Sequence, residues 1–148
     1  MALLKAIAYA TTAYRESLEL RNRVMRLPLG RDIFDEDLSF EKCAEMIGVY
    51  EEDVLLGVGV MVPQGEDFSL EFLCVDPVRQ RGGLGGMLLA AMEERALELG
   101  AKRITMHARV SAQGFYERHG YRDTGEVCIH HGAPVPHIVM AKNIGTVD

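Results

Sequence analysis

The stretch Val75-Asp76-Pro77-Val78-Arg79-Gln80-Arg81-Gly82-Gly83-Leu84-Gly85-Gly86 decides the reading of this chain. It is bounded by two different periodicities. Before it, residues 68–75 alternate, with Phe68, Leu70, Phe72 and Cys74 on one face and Ser69, Glu71, Leu73 and Val75 on the other. Both faces are largely apolar, which predicts a central strand covered on both sides. After it, Leu84, Met87, Leu88, Ala91, Met92 and Leu99 recur at helical spacing, with Glu93, Glu94 and Glu98 off that stripe. Gly100 is a good C′ residue for that helix. A short strand over 103–107 follows, so the strand–turn–helix–strand unit demands parallel pairing.

Upstream, residues 3–8 predict a first strand. Thr11 or Thr12 can cap a helix running to about Arg26, with Leu20, Val24 and Leu27 on one stripe and Leu27-Pro28-Leu29-Gly30 as its stop. Residues 31–40 carry Asp32, Asp35, Glu36 and Asp37 and read as a loop or short helix. Such an acidic run could attract a cationic acceptor, although it is more often a solvated face. Residues 43–50 and 54–62 predict a hairpin around Glu51-Glu52-Asp53, and 63–67 a further turn. Downstream, Ser111 can cap a short helix ending at His119-Gly120. Residues 124–130 and 136–141 predict a hairpin around His131-Gly132-Ala133-Pro134. These elements make about seven strands in a mixed sheet of the α/β class, with helices on both faces, in one domain over 1–148.

Composition narrows the function. The chain has 148 residues, and 16 basic against 22 acidic residues give a net charge of −6. That argues against a sequence-independent nucleic-acid binder, which needs a basic face, and tilts toward cationic partners. No apolar run approaches the ~20 residues of a membrane span. Three cysteines, Cys43, Cys74 and Cys128, are an odd count without close spacing and fit a reducing cytoplasm. No CxxC or HExxH occurs, so a protein-bound metal is not expected. His130, His131 and His137 lack ligand-spaced partners other than Cys128, and read as a hairpin.

Four glycines and two arginines within residues 79–86 are costly as mere structure, because glycine loses the most backbone entropy on folding. Glycine lets backbone N–H groups approach a ligand, and the following helix N-terminus adds partial positive charge. The combination suits a pyrophosphate. The Lys-Ser/Thr pair of a P-loop is absent, and the third glycine of a dinucleotide fingerprint is misplaced.

Gln80-Arg81-Gly82-Gly83-Leu84-Gly85 resembles the Q/R-x-x-G-x-G/A motif of the GNAT superfamily of acyl-CoA N-acyltransferases. A second block, Ala112-Gln113-Gly114-Phe115-Tyr116-Glu117-Arg118-His119-Gly120-Tyr121, resembles that family's A-x-x-F-Y-x-x-x-G-F/Y segment. One helix and one strand separate the blocks, as in the family. The resemblance is specific over residues 68–121. The tail with Pro136-His137-Ile138 and Met140 is similar to that of ElaA-like members. One departure is Arg109, which stands where many members carry an asparagine that helps hold the pantetheine arm or the local backbone.

The resemblance implies acetyl-CoA as acyl donor, no metal, and direct attack by an amine within a ternary complex. It implies that the backbone of Leu73, Cys74 and Val75 pairs with the pantetheine arm, with the Val75 N–H facing the thioester oxygen. One such donor is worth about 3–4 kcal/mol of barrier. Gln80, Arg81, Gly82, Gly83, Leu84, Gly85 and Gly86 would form the pyrophosphate cradle. Tyr116 matches the position of a tyrosine that protonates the leaving thiolate.

A base must help, because an amine with a pKa near ~10.4 costs roughly 4–5 kcal/mol to deprotonate at pH 7. Glu71 is the first candidate, since alternation places it on the face of Val75. Its plain alternative is a solvated glutamate. His107 and His137 are rivals, titrating in the right range. Cys74, opposite Val75 and apolar in its surroundings, is a poor acyl carrier. The other function classes open are a catalytically inactive acyl-CoA-binding sensor or interaction module and a nucleotide-binding α/β domain, which a ligand screen separates. The acceptor is a small-molecule or protein amine, and an exposed last strand would invite a homodimer.

Overall fold

The computed structural model describes residues 1–129 and 134–145; the turn expected at 131–134 and the histidines His130 and His131 fall largely or wholly outside them. The elements are β1 (Leu3–Ala6), α1 (Thr12–Met25), β2 (Glu45–Glu51), β3 (Val54–Gln64), β4 (Asp67–Val75), α2 (Leu84–Glu98), β5 (Arg103–Arg109), α3 (Gln113–Arg118), β6 (Arg122–Ile129) and β7 (Pro136–Asn143). Seven strands form one sheet in the order β1-β2-β3-β4-β5-β7-β6. The β4–β5 pair is parallel and the others are antiparallel, so the sheet is mixed as expected.

Local chemistry accounts for the boundaries. The Thr11 hydroxyl accepts from the Tyr14 N–H at 3.2 Å and starts α1. Arg26 and Pro28 end it in a 3-10 turn over Leu27–Leu29. Residues 31–40, for which the sequence allows a loop or a short helix, hold a 3-10 turn over Ile33–Asp35 and the start of a second over Ser39–Cys43. The second takes in Cys43, so the strand expected from 43 begins at Glu45 instead. Glu52 and Asp53 both take positive φ at the β2–β3 turn, at 51° and 65°.

The sheet separates two cores. On one side α1 covers Val58, Val60, Phe72 and Cys74; on the other α2 and α3 cover Phe68, Leu70, Ile104 and Met140. The β4 residues on that list break the expected alternation. In the β3–β4 ladder Val60 pairs with Phe72 and Met61 with Leu70, so Glu71 is an extra residue. Such a β-bulge shifts the side-chain pattern by one. Phe68 and Leu70 therefore face α2, whereas Phe72 and Cys74 face α1.

Two further expectations change. β7, last in the chain, lies between β5 and β6, so it is not an edge; β6 is. On the helices, Leu27, Met87 and Leu99 are exposed, while Arg21, Leu89 and Ala96 are buried. Buried Arg21 is satisfied by Glu41: its Nη1 and Nη2 donate to that carboxylate at 2.7 and 3.0 Å, and the Tyr14 hydroxyl donates at 2.6 Å. Its guanidinium also stacks on Phe72, 4.6 Å from the ring centroid. No helix of the described residues is long and apolar enough to cross a membrane.

Candidate active site

The parallel β4–β5 ladder runs from Asp67↔Arg103 to Leu70↔Met106 and stops. Beyond it the strands part, one residue before the Glu71 bulge. Over 71–74 the edge of β4 that faces β5 is outside their ladder, and the sheet carries a slot.

Two cavities meet at this slot. A larger one of about 400 Å³ lies on the α3 side, lined by Leu73, Val75, Gly85, Ser111, Phe115 and Tyr116 among others. A smaller one of about 90 Å³ reaches the α1 side, where Arg26, Glu71, His107, Arg109 and His137 line it. Leu73, Ala112 and Tyr116 line both.

Asp76 organises the turn that leads from β4 into α2. Its carboxylate accepts from the Val78 N–H at 3.1 Å and from Arg23 at 3.2 Å. The backbone over Pro77–Gly82 is a 3-10 turn, and Gly83 takes φ 77°, which an L side chain adopts only under strain. A Cβ at Gly82 or Gly83 would meet nothing within 4 Å, so the turn is open above the start of α2. Leu84 is buried with Val49, Leu56 and Val75 and anchors that start to the end of β4. On the next turn α3 closes in: a Cβ at Gly85 would sit 3.3 Å from the Phe115 ring, and one at Gly86 2.9 Å from His119 Nε2. The side chains of Arg79, Gln80, Arg81 and Cys128 lie outside the described residues.

Tyr116 is buried, its ring edge-on to Phe115 at 5.2 Å and to Tyr121 at 5.7 Å. Burial alone pushes its phenol well above the ordinary value near 10, so it stays protonated at neutral pH. Cys74 is buried against α1, and burial pushes its thiol up to about 12. A thiolate nucleophile is therefore scarce there.

Glu71 does not share a face with Val75, contrary to the alternation expected of an unbroken strand. The bulge puts it on the α1 side, where its carboxylate accepts from the Ser69 hydroxyl. It reaches the slot because β5 no longer covers β4 at that level. His107 and Arg109 occupy the same side of β5, since Ile104, Met106 and Ala108 face the α2 core. His137 pairs with Arg109 across β5 and β7. It is 4% exposed, and its Nδ1 lies 2.7 Å from the Val135 carbonyl, which accepts its proton. Burial first, and then the nearby Arg109, His107 and Arg26, lower its pKa below the ordinary 6.5. At neutral pH the imidazole is neutral.

Arg109 lines the smaller cavity and not the larger one. Its Nη2 donates to the Met25 carbonyl at the end of α1 at 2.6 Å. Arg26, which the sequence did not single out, pairs with Glu36 at 2.7 Å and covers Phe72. The signal available was its place at the C-terminal cap of α1, before Pro28. Among the described residues no group of three His, Cys, Asp or Glu side chains could hold a metal.

The family model for the acetyltransferase (GNAT) domain matches residues 29–144. The chain belongs to the GNAT acetyltransferase family. The uncharacterised N-acetyltransferase YjcF of Bacillus subtilis is 32% identical over 103 residues, covering 70% of this chain and 73% of that protein. Two solved structures share the fold with TM-scores of 0.80. Escherichia coli ElaA is 19% identical and covers 97% of this chain and 100% of its own. An aminoglycoside 6′-N-acetyltransferase complexed with coenzyme A is 18% identical and covers 99% of both chains. The mixed seven-stranded sheet of this chain is thus a GNAT sheet.

Proposed function

We propose that this GNAT chain transfers an acetyl group from acetyl-CoA to a primary amine by direct attack, with donor and acceptor bound together. The observation that carries this reading is the slot. Two cavities on opposite sides of the sheet meet where β4 and β5 part, at Leu73, Ala112 and Tyr116. An acyl donor on the α3 side and an amine on the α1 side can then share one reacting carbon. The coenzyme A bound to a structure of the same fold agrees with a donor of this kind.

The residues present fit such a donor. The open turn at Gly82 and Gly83 leaves backbone N–H groups at the N-terminus of a 15-residue helix, α2, to receive a pyrophosphate. The edge of β4 over 71–74, beyond the end of the ladder with β5, supplies main-chain donors and acceptors for an extended amide chain, as an added strand would use them. The backbone of Leu73 and Cys74 belongs to that edge, and Val75 follows it at the end of β4.

The step balances within the chain's own groups. The amine nitrogen bonds to the acetyl carbon as the carbon–sulfur bond breaks. Glu71, directly or through one water, takes the proton the amine sheds. The Tyr116 phenol, kept protonated by burial, gives its proton to the leaving sulfur. His137, neutral at pH 7, lines the same cavity and is a rival base.

Thermal unfolding with acetyl-CoA, NAD and ATP tests the donor site. At a hundredfold excess over its Kd a ligand adds about 2.7 kcal/mol, a rise of several degrees for a chain this size. A rise with acetyl-CoA alone, followed by amine-dependent release of free CoA, is the expected result. A rise with no release from any amine favours a binding module over an enzyme. No rise removes the acyl-CoA reading.

A further inference from the structure

We infer that the acceptor carries a carboxylate as well as its amine, and that Arg109 receives that carboxylate inside the smaller cavity. The inference rests on the acyl-transfer reading above and specifies its acceptor.

The starting point is an imbalance of charge within the cavity. The whole chain is acidic, at −6. The α1 side of the slot is the reverse: two guanidiniums and two imidazoles face one carboxylate, that of Glu71. Arg26 is already matched by Glu36 at 2.7 Å. Glu71 is turned to the Ser69 hydroxyl and makes no ion pair with Arg109. Among the described residues no carboxylate pairs with Arg109. Its one described hydrogen bond goes to a neutral acceptor, the Met25 carbonyl. Its Nε is buried and has no partner, the single described side-chain atom in that condition.

A buried, unpaired N–H is costly, and more so on a charged group. Burial, and then the neighbouring Arg26, depress the Arg109 pKa, as loss of water around a charged group requires. Among the described residues this charge has no anionic partner. A ligand that supplies an anion answers it.

The shape selects the anion. A guanidinium is a planar fork that matches a carboxylate edge-on. The cavity, at about 90 Å³, has room for a small planar group and a short linker. The remaining polarity also fits an amino acid or a similar zwitterion. Its carboxylate lies at Arg109, and its amine points toward Glu71 and the slot at Leu73 and Tyr116. The acidic net charge alone suggests a cationic acceptor; the cavity's own charges point the other way.

Two measurements on the full chain test this. The first is free-CoA release with matched amines: α- and ω-amino carboxylates, their amides, aminophosphonates and polyamines. Carboxylates are expected to exceed their amides by roughly ten- to hundredfold in kcat/KM. In Arg109→Gln that preference collapses while the KM for acetyl-CoA holds. Amides or polyamines used as well as carboxylates, or a preference that survives Arg109→Gln, would overturn the inference. Aminophosphonates in first place would overturn the carboxylate assignment.

The second measurement needs no turnover. Thermal unfolding is followed with N-acetyl amino acids and with their amides. The acids are expected to raise the midpoint in the wild type and not in Arg109→Gln. The apo variant is expected to unfold no lower than the wild type, because it loses an unanswered buried charge. Equal effects of acid and amide, or no effect of either, sink the carboxylate site. Acid-specific stabilisation without CoA release from any amine would instead overturn the acyl-transfer reading and leave the carboxylate site standing.

Discussion

Leu70 of β4 pairs with Met106 of β5 as the last step of their parallel ladder, and the next residue of β4 is the bulged Glu71. A bulge adds twist and bends its strand. Here it falls where pairing with β5 ends, so the irregularity that breaks the alternation also opens the slot. It further turns Glu71 to the α1 side and Leu73 to the α3 side. One extra residue thus sends an acid to one cavity and an apolar wall to the other.

Glu71→Gln is expected to lower kcat by about 10²–10⁴, the usual worth of a general base. The side chain is exposed, so the unfolding midpoint should hold within about 0.5 kcal/mol equivalent. The KM for acetyl-CoA should hold as well. Steady-state kinetics with free-CoA detection settles it. A kcat within twofold of wild type would move the base to His137 or to water.

Tyr116→Phe keeps the ring that packs edge-on against Phe115 and Tyr121 and removes the phenol alone. Its expected loss is about a hundredfold in kcat. Because burial holds the phenol protonated well above neutral, activity should not fall between pH 7 and 9 through this group. A basic-limb loss between pH 7 and 9 in the wild type that vanishes in Tyr116→Phe would show the phenol titrating there and overturn the raised pKa, and a kcat in Tyr116→Phe within twofold of wild type would overturn its role as proton donor.

Much of this was legible in the sequence because periodicity and glycine placement are local. The seven strands, the cap at Thr11 and the turn at Gly83 all follow from neighbours in the chain. The bulge at Glu71 was not legible. An unbroken apolar alternation from Phe68 to Cys74 is what the residues show, and only pairing with β3 reveals the extra one. The Arg21–Glu41 pair was hidden for a related reason. Tyr14, Ser17 and Arg21 recur at helical spacing, yet an arginine on a helix reads as solvent-facing until its partner 20 residues away is found. Arg109 stood out as a departure from a family pattern. Its cavity required α1, β5 and β7 together.

Glu41→Ala should be the most disruptive single change far from the slot. Neither the Arg21 nor the Glu41 side chain is exposed, and their contact is 2.7 Å. Removing one partner leaves a buried charge uncompensated, which costs about 3–5 kcal/mol. For a chain of this length that lowers Tm by on the order of 10 °C. Arg21 also stacks on Phe72, beside the bulge, so local opening should reach the slot. The double variant Arg21→Met with Glu41→Leu should recover most of the loss. If it is no more stable than Glu41→Ala, the cost lies in packing and not in charge.

His137 gives the fold a dependence on pH with a definite sign. Burial, ahead of the charges around it, lowers its pKa in the folded chain below the ordinary 6.5. In the unfolded chain the imidazole takes its proton near ~6.5. Below that pH the unfolded state binds the extra proton first, so stability falls as pH falls. The contribution is whole above about 6.5 and is lost as pH drops through the folded value. Midpoints measured from pH 7.5 to 5 should therefore decline more steeply in the wild type than in His137→Asn, whose amide can still donate to the Val135 carbonyl. The carboxylate site adds a second expectation. An anion at Arg109 offsets positive charge beside the imidazole and makes its protonation easier. An N-acetyl amino acid should then flatten the acid-side decline in the wild type. Parallel slopes in the two proteins would show that the imidazole keeps its ordinary pKa, and that another group sets the acid limit.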